Sequence, residues 1–372
     1  MKVVQVLPAL ELGGVERGTL DIAKALVDEG HESVVISAGG RLVKQLEHKG
    51  SRHVTWDLGK KSLLTFLKLW AVRKWLRDEK PDIVHVRSRM PAWVVWLAWK
   101  GMPENDRPRF VTTLHGMHSV NWYSAIMSKG EQIICVSETC KKYLFDNYKV
   151  DDPTKVTVIH RGIDEEYFVR GFQPSDDWKE QFYSDYPECL DKKLICFPGR
   201  ITRWKGHLEL VKVVELLART RDDFRVLVVG SEGKGNFLAE LKDQIEQRGL
   251  SRFFVFLGTR SDMREIYAIS AVSLSLTSTT KESFGRAVVE SFAIGTPVVA
   301  YSHGAVAETM GQLAPHGLVS VGDIDGIVER ALALLVASPE LDTNSFTLTK
   351  MRVETLKLYS ETSEICAKQT FS

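Results

Sequence analysis

Lys281-Glu282-Ser283-Phe284-Gly285-Arg286-Ala287-Val288-Val289-Glu290 sets two carboxylates around a central glycine, and the Gly295-Thr296 turn then leads into the apolar run Pro297-Val298-Val299-Ala300. A helix beginning near Phe284 has unpaired amides and a positive dipole end beside Glu282. Such an end favours an anion, phosphate above all. Glu290 then lies about two turns along, where a carboxylate accepts hydrogen bonds from neutral hydroxyls such as those of a ribose. Amides holding phosphate and carboxylates holding hydroxyls are what a nucleotide-sugar site requires. Taken alone, the run fits equally a helix with one acid at its N-terminal end and one on its solvent face.

A second segment changes that balance. Pro198-Gly199-Arg200-Ile201-Thr202-Arg203-Trp204-Lys205-Gly206 follows the apolar strand Leu194-Ile195-Cys196-Phe197. Arg200 and Lys205 are cations on a loop leaving a strand's carboxyl end, where open parallel sheets bind ligands. Cations there suit the charge that grows on a diphosphate leaving group; cations merely solvated in a loop are the plainer alternative. With both segments in this order, the chain resembles the family 4 retaining glycosyltransferases of the GT-B fold. Other stretches extend the resemblance over nearly the whole chain: Val3 to Pro8 leading into Leu12-Gly13-Gly14, Pro81 to His85, Thr112 to Gly116, Ile134 to Ser137, Val158 to Asp164, Leu227 to Gly230, Phe256 to Thr259, and the closing Phe346 to Tyr359.

The resemblance implies two Rossmann-like domains facing a central cleft, with the C-terminal helix returning to the N-terminal domain. The expected boundaries are 1–165 with about 355–372 for an acceptor-binding domain, and 166–354 for a donor-binding domain. Implied roles follow residue by residue. Arg200 and Lys205 hold and stabilise the departing diphosphate, Glu290 accepts the ribose hydroxyls, and Glu282 orients the transferred sugar. Amides from Phe284 through Gly285 to Arg286, beside Ser283, cap the phosphate, and Gly14 lets backbone approach the donor closely. The base lies near Gly230 and near Gly258 to Arg260. His115 is placed near sugar and acceptor, or is a structural histidine at a strand end. The chemistry implied is front-face transfer with retention, the departing diphosphate taking the acceptor's proton. A double displacement would instead need a carboxylate nucleophile, for which Glu282 must be considered. No metal or cofactor is expected, and a UDP-sugar is the favoured donor. Asp323-Ile324-Asp325 reads as a helix N-cap rather than a metal site. Two departures stand out: Arg161 where family members often have Asn, and Gly304-Ala305 where Gly-Gly is usual.

Composition is that of an ordinary globular protein: 372 residues, 44% hydrophobic, 26% charged, formal net charge +1. That charge gives no argument for nucleic acid as partner. The 5 cysteines are scattered, which favours buried thiols in a reducing compartment over zinc ligands. The N-terminus runs directly into a strand without a secretory core, and the longest apolar stretch, Met90 to Trp99, is about half the roughly 20 residues that a spanning helix needs. The expectation is a cytoplasmic protein.

Short apolar runs alternate with helical patterns, which indicates βαβ units and parallel sheets. One series comprises strands at Val3 to Leu7, Ser33 to Ser37, Asp82 to Val86, Phe110 to Thr113 and Gln132 to Val136. The other starts at Leu194 and continues through Arg225 to Val229, Phe253 to Phe256, Val272 to Leu276 and Pro297 to Ala300. The polar, aromatic-bearing stretch Asp164 to Lys192 reads as interdomain connection and lead-in. No Gly-x-Gly-x-x-Gly follows the first strand, which disfavours a nicotinamide dehydrogenase; a sugar-nucleotide epimerase or a non-catalytic sugar-nucleotide-binding relative remains an alternative.

The acceptor is least marked. The N-terminal half resembles bacterial transferases that build lipopolysaccharide core or surface polysaccharide, implying a glycan or lipid-linked acceptor at the inner leaflet. Arg87 and Arg89, after a strand end, and Arg161 are candidates to contact it; a solvated loop explains the first two equally well. Lys60 to Lys80 mixes cations with Leu63, Phe66, Trp70 and Trp75, fitting either an anionic membrane surface or a packed helix with a solvated basic side. Trp93, Trp96 and Trp99 recur at the spacing of a packed helix face.

Overall fold

Strands buried on both faces read as continuous β-branched runs, and Val3-Val4-Gln5-Val6 is one. The computed structural model describes the whole chain except Leu12, Lys234, Thr280, Lys281, 338–340, 342, 343 and 370–372, with the backbone alone at Leu63 and 365–369. Lys281 of the opening run and the side chain of Cys366 therefore lie outside the described residues. The chain divides into two units, Met1–Gly162 with Leu348–Ser372, and Ile163–Thr347.

The first unit contains β1 (Lys2–Val6), β2 (Glu32–Ser37), β3 (Arg52–Thr55), β4 (Ile83–Val86), β5 (Arg109–Leu114), β6 (Gln132–Cys135) and β7 (Val156–Val158). They form a parallel sheet in the order β3-β2-β1-β4-β5-β6-β7. Strand order reverses beside β1, the doubly wound arrangement that opens a crevice at the carboxyl ends of β1 and β4. Successive residues of β1 serve opposite faces. Val4 and Val6 pack with Val84, Val86 and Met90 on one side. Val3 packs with Ile22, Leu26, Leu358 and Tyr359 on the other. The closing helix Leu348–Gln369 supplies the last two, so it completes the core of this unit.

The second unit repeats the plan with β8 (Lys193–Pro198), β9 (Phe224–Val229), β10 (Phe254–Gly258), β11 (Val272–Ser275), β12 (Val298–Tyr301) and β13 (Leu318–Val319), ordered β10-β9-β8-β11-β12-β13. All its pairs are parallel. Two parallel-strand units of Rossmann type make an α/β protein with the domains of the GT-B fold.

Three strands escaped the sequence reading, β3, β7 and β13, and all three are sheet edges. Arg52, His53 and Thr55 give β3 no apolar run, while β7 and β13 are only 3 and 2 residues long. The units divide between Gly162 and Ile163, so the stretch Asp164 to Lys192 is not a connection. It carries the helix Asp176–Asp185, and Phe168, Phe182 and Cys189 lie in the core of the second unit. The helix expected near Phe284 begins at Arg286, after Gly285 in the left-handed region (φ 81°). The positive φ at the start of the following helix, Gly304–Leu313, falls on Gly304 (φ 59°), so Ala305 is accommodated without strain. Asp323 caps the helix Ile324–Val336, its carboxylate accepting from the Gly326 amide at 2.9 Å. Among the described residues, no helix is long and apolar enough to cross a membrane.

Candidate functional site

In the second unit, β8 and β9 run into Gly199 and Gly230, and β10 ends on Gly258. The Gly199 amide donates to the Val229 carbonyl at 2.8 Å, and the Gly230 amide to the Gly258 carbonyl at 2.8 Å. A Cβ at Gly230 would stand 2.1 Å from the Gly199 carbonyl oxygen. Gly206 has φ 86°, and its missing Cβ would fall 2.1 Å from the Leu276 carbonyl oxygen. The Arg200-to-Lys205 loop is thus drawn tightly against the end of β11.

There the Lys205 ammonium pairs with the Glu282 carboxylate, whose Oε1 also accepts from Thr277 Oγ1 at 3.2 Å. Lys205 lies 4.6 Å from the Trp204 ring centroid. Lys205, Glu282, Thr277, Gly285 and Val288 line a recess of about 20 Å³, room for about one water. Arg200 projects from the same loop into solvent, with no described acid within ion-pair range.

Glu290 lies one helical turn inside the helix Arg286–Ile294. Its Oε1 accepts from Arg286 Nε at 2.6 Å, and Tyr267 reaches it from the core. Burial, then the Glu290 charge, pushes the Tyr267 phenol well above its usual range. Four expected donor residues need correction or refinement. Phe284 puts its ring into the core, 5.6 Å edge-to-face from Phe346, so only its backbone can serve a ligand. The amides of the first helical turn begin at Arg286, two residues later than expected. Arg286 itself is engaged by Glu290. Arg260 is held by both oxygens of Asp262 at 2.9 and 2.6 Å, with Trp178 Nε1 donating to the same carboxylate. Ser283 is half-buried beside Glu282.

The first unit gathers a different cluster. Arg87 directly follows β4 and His115 directly follows β5. Arg87 is buried, donating to Gln5 Oε1 at 2.5 Å and to His115 Nε2 at 3.3 Å. That burial corrects the alternative reading of Arg87 as part of a solvated loop. Arg161 Nη2 meets His115 Nδ1 at 2.7 Å, while its Nη1 donates to the Gly14 carbonyl at 2.6 Å. A Cβ at Gly14 would stand 3.0 Å from that guanidinium, so the open space at Gly14 admits Arg161. Burial, then Arg161 and Arg87, holds the His115 pKa well below the usual histidine range. A neutral imidazole accepts at one nitrogen only, so the two guanidiniums compete for it. Arg89, starting the helix Arg89–Lys100, bonds Ser124 Oγ at 3.0 Å and lies 5.2 Å from the Tyr123 ring centroid.

Thr277, Tyr267, Gln5 and Asp262 were not legible from sequence, because each acts through a partner that only folding brings near. Cys135, Cys140, Cys189 and Cys196 are buried free thiols, with burial pushing Cys189 and Cys196 up to about 12.

Residues 12–167 match the model of Glycosyltransferase Family 4, and residues 179–344 that of Glycosyl transferases group 1. A solved glycosyltransferase from Rickettsia africae superposes with TM-score 0.80 at 30% identity, covering 97% of this chain and 98% of that one. The Anabaena protein Alr3699/HepE, solved with UDP and glucose, gives TM-score 0.76 at 19% identity over 97% of this chain and 100% of its own. The lipopolysaccharide core mannosyltransferase LpsB of Rhizobium meliloti is 29% identical over 59% of this chain and 60% of its own length. The match spans only 33% of another curated relative, a 2-deoxystreptamine glucosyltransferase of Streptomyces kanamyceticus. With the two family models falling in turn along the chain, and a full-length structural relative at this identity, the chain belongs to glycosyltransferase family 4.

Proposed function

We propose that the protein transfers a hexose-type sugar from a nucleoside diphosphate sugar, a UDP-sugar in preference, to a glycan or lipid-linked acceptor. Transfer retains the anomeric configuration, needs no metal ion, and serves lipopolysaccharide or another cell-surface polysaccharide at the cytoplasmic face of a membrane. The observation that carries this is the Lys205–Glu282 pair at the carboxyl ends of β8 and β11, before the helix that bears Glu290. An arriving diphosphate draws the Lys205 ammonium away from Glu282 and frees that carboxylate for the sugar hydroxyls. Arg200, exposed on the same loop, adds a second cation. As the bond between the anomeric carbon and the diphosphate oxygen breaks, the acceptor oxygen bonds to that carbon from the same face. The acceptor's proton passes to the departing diphosphate. Charge that would otherwise require a metal is met by two cations and a helix start.

Glu290 binds the ribose when Arg286 turns from it towards phosphate. The UDP complexes of the Anabaena protein support uridine as the base, and the relationship to LpsB supports a polysaccharide product. Thermal shifts with UDP, GDP, ADP, CMP and NAD, each with and without magnesium, test the donor assignment. A magnesium-independent rise with UDP is expected, because a ligand bound only by the native state raises its melting temperature. A rise with NAD alone, or with none of the nucleotides, overturns it. NMR of the product's anomeric proton decides between retention and inversion.

A further inference from the structure

Water leaves few large apolar side chains uncovered on a folded surface without a reason. Among the described residues, those at least 70% exposed are Leu64, Leu67, Trp70, Trp122 and Val336. Four of the five lie in one neighbourhood of the first unit. Leu64, Leu67 and Trp70 follow one another at intervals of three, along the short helix Leu63–Phe66 and into the helix Leu69–Glu79. A turn at Leu67 and Lys68 joins the two helices.

Beside them runs a groove of roughly 510 Å³, lined by Lys61, Phe66, Met90, Trp93, Leu97 and Trp122. That volume is in the range of sites that hold a small molecule or a lipid chain. Trp122 forms its rim, 5.5 Å from the Trp93 ring centroid. Charge accompanies the apolar surface. Residues 60–80 carry seven basic side chains against two acidic ones, a net +5 in a chain whose total is +1. Two of these cations lie beside aromatic rings: Lys61 is 5.5 Å from the Tyr123 centroid and Arg73 4.7 Å from that of Trp70. That is the arrangement of side chains whose apolar stems lie against lipid while their heads reach the polar layer.

We propose that this face seats the protein on an anionic lipid bilayer, with Leu64, Leu67, Trp70 and Trp122 entering the interface and a lipid chain occupying the groove. The excess of cations selects an anionic surface over a neutral partner. One wall of the groove is Met90, Trp93 and Leu97 of the helix Arg89–Lys100, which begins three residues after β4. This deepens the lipid-linked part of the proposed function, and its test is read without any transfer reaction.

Flotation of the full chain with phosphatidylglycerol–phosphatidylethanolamine vesicles, compared with phosphatidylcholine vesicles at low and high salt, tests the proposal. Wild type floats with the anionic vesicles and is released by salt. The triple variant Leu64→Ser, Leu67→Ser, Trp70→Ser lowers partitioning about tenfold or more while keeping the wild-type melting temperature and UDP shift. Lys61→Glu with Lys74→Glu weakens binding on anionic vesicles only. Wild-type protein that stays soluble with every vesicle, or a triple variant that floats unchanged, overturns the proposal. So does a concentration-dependent dimer that the triple variant abolishes, since the face would then belong to a second copy. Loss of the UDP shift with flotation intact would instead count against the donor reading alone.

Discussion

Lys205 and Glu282 show how much one residue pair can carry. On the proposed function, a diphosphate takes Lys205 from its resting glutamate partner, and the interaction strengthens as the leaving group gains charge. Lys205→Ala should therefore lower kcat by about a hundred- to a thousandfold with a much smaller effect on donor KM; steady-state kinetics check this, and unchanged turnover would remove Lys205 from the phosphate clamp. His115 poses a different problem, because two guanidiniums face a ring with one lone pair to offer. The ring stays neutral, held so first by burial and then by Arg161 and Arg87. Arg161→Gln removes one cation and should raise the His115 pKa towards its ordinary value. NMR titration of the ring nitrogens reads this, and an unmoved pKa would show that Arg161 does not hold it down. Glu282, Lys205, Glu290 and His115 were legible as candidates because their types and spacings match a family pattern. The burial of Arg87 and the engagement of Arg260 by Asp262 were not, since neither partner is announced by spacing.

Elements decide what those residues can reach. The left-handed Gly206 ends the Arg200–Lys205 loop and opens the helix His207–Leu217. His207 then turns into the core, 4.9 Å from the Phe197 ring centroid and 6.1 Å from that of Phe237. Burial holds its pKa down at about 4, against 6.5 in an unfolded chain. Below pH 6.5 the unfolded chain takes up a proton here that the folded one refuses, so stability rises with pH across this window and is lost as pH falls from 6.5 towards 4. A shift of this size corresponds to about 3 kcal/mol at most. Denaturant unfolding of His207→Gln should show a shallower loss than wild type between pH 6.5 and pH 5, above the range where carboxylates titrate; equal slopes would rule this histidine out as the source. Central strands were read correctly because both faces are apolar. Three of the four edge strands were missed because they are polar or only two or three residues long, whereas the fourth, β10, was legible from the apolar run Phe253 to Phe256.

At the scale of the molecule, the chain leaves its first unit after Gly162 and returns at Leu348, which makes that unit's core depend on the end of the sequence. Tyr359 on the returning helix meets His85 Nδ1 at 2.5 Å, and His85 Nε2 meets Thr113 Oγ1 at 2.6 Å, so a buried polar chain ties that helix to β4 and β5. Tyr359→Phe keeps the ring and leaves a buried imidazole nitrogen without its partner, an expected cost of about 1–3 kcal/mol. Urea unfolding should show it in the first unit's transition, and no change would mean that the His85 nitrogen finds another partner. The sequence by itself determined the α/β class and the two-domain order, because these rest on local periodicity and on residue types at fixed spacing. Only tertiary structure decided that Glu282 rests on Lys205, that Arg87 is buried against Gln5, that His115 lies between two guanidiniums, and that apolar side chains of residues 60–80 stay uncovered. Each of these depends on which distant segments pack together, and burial and pairing are properties of the neighbours, not of the residue.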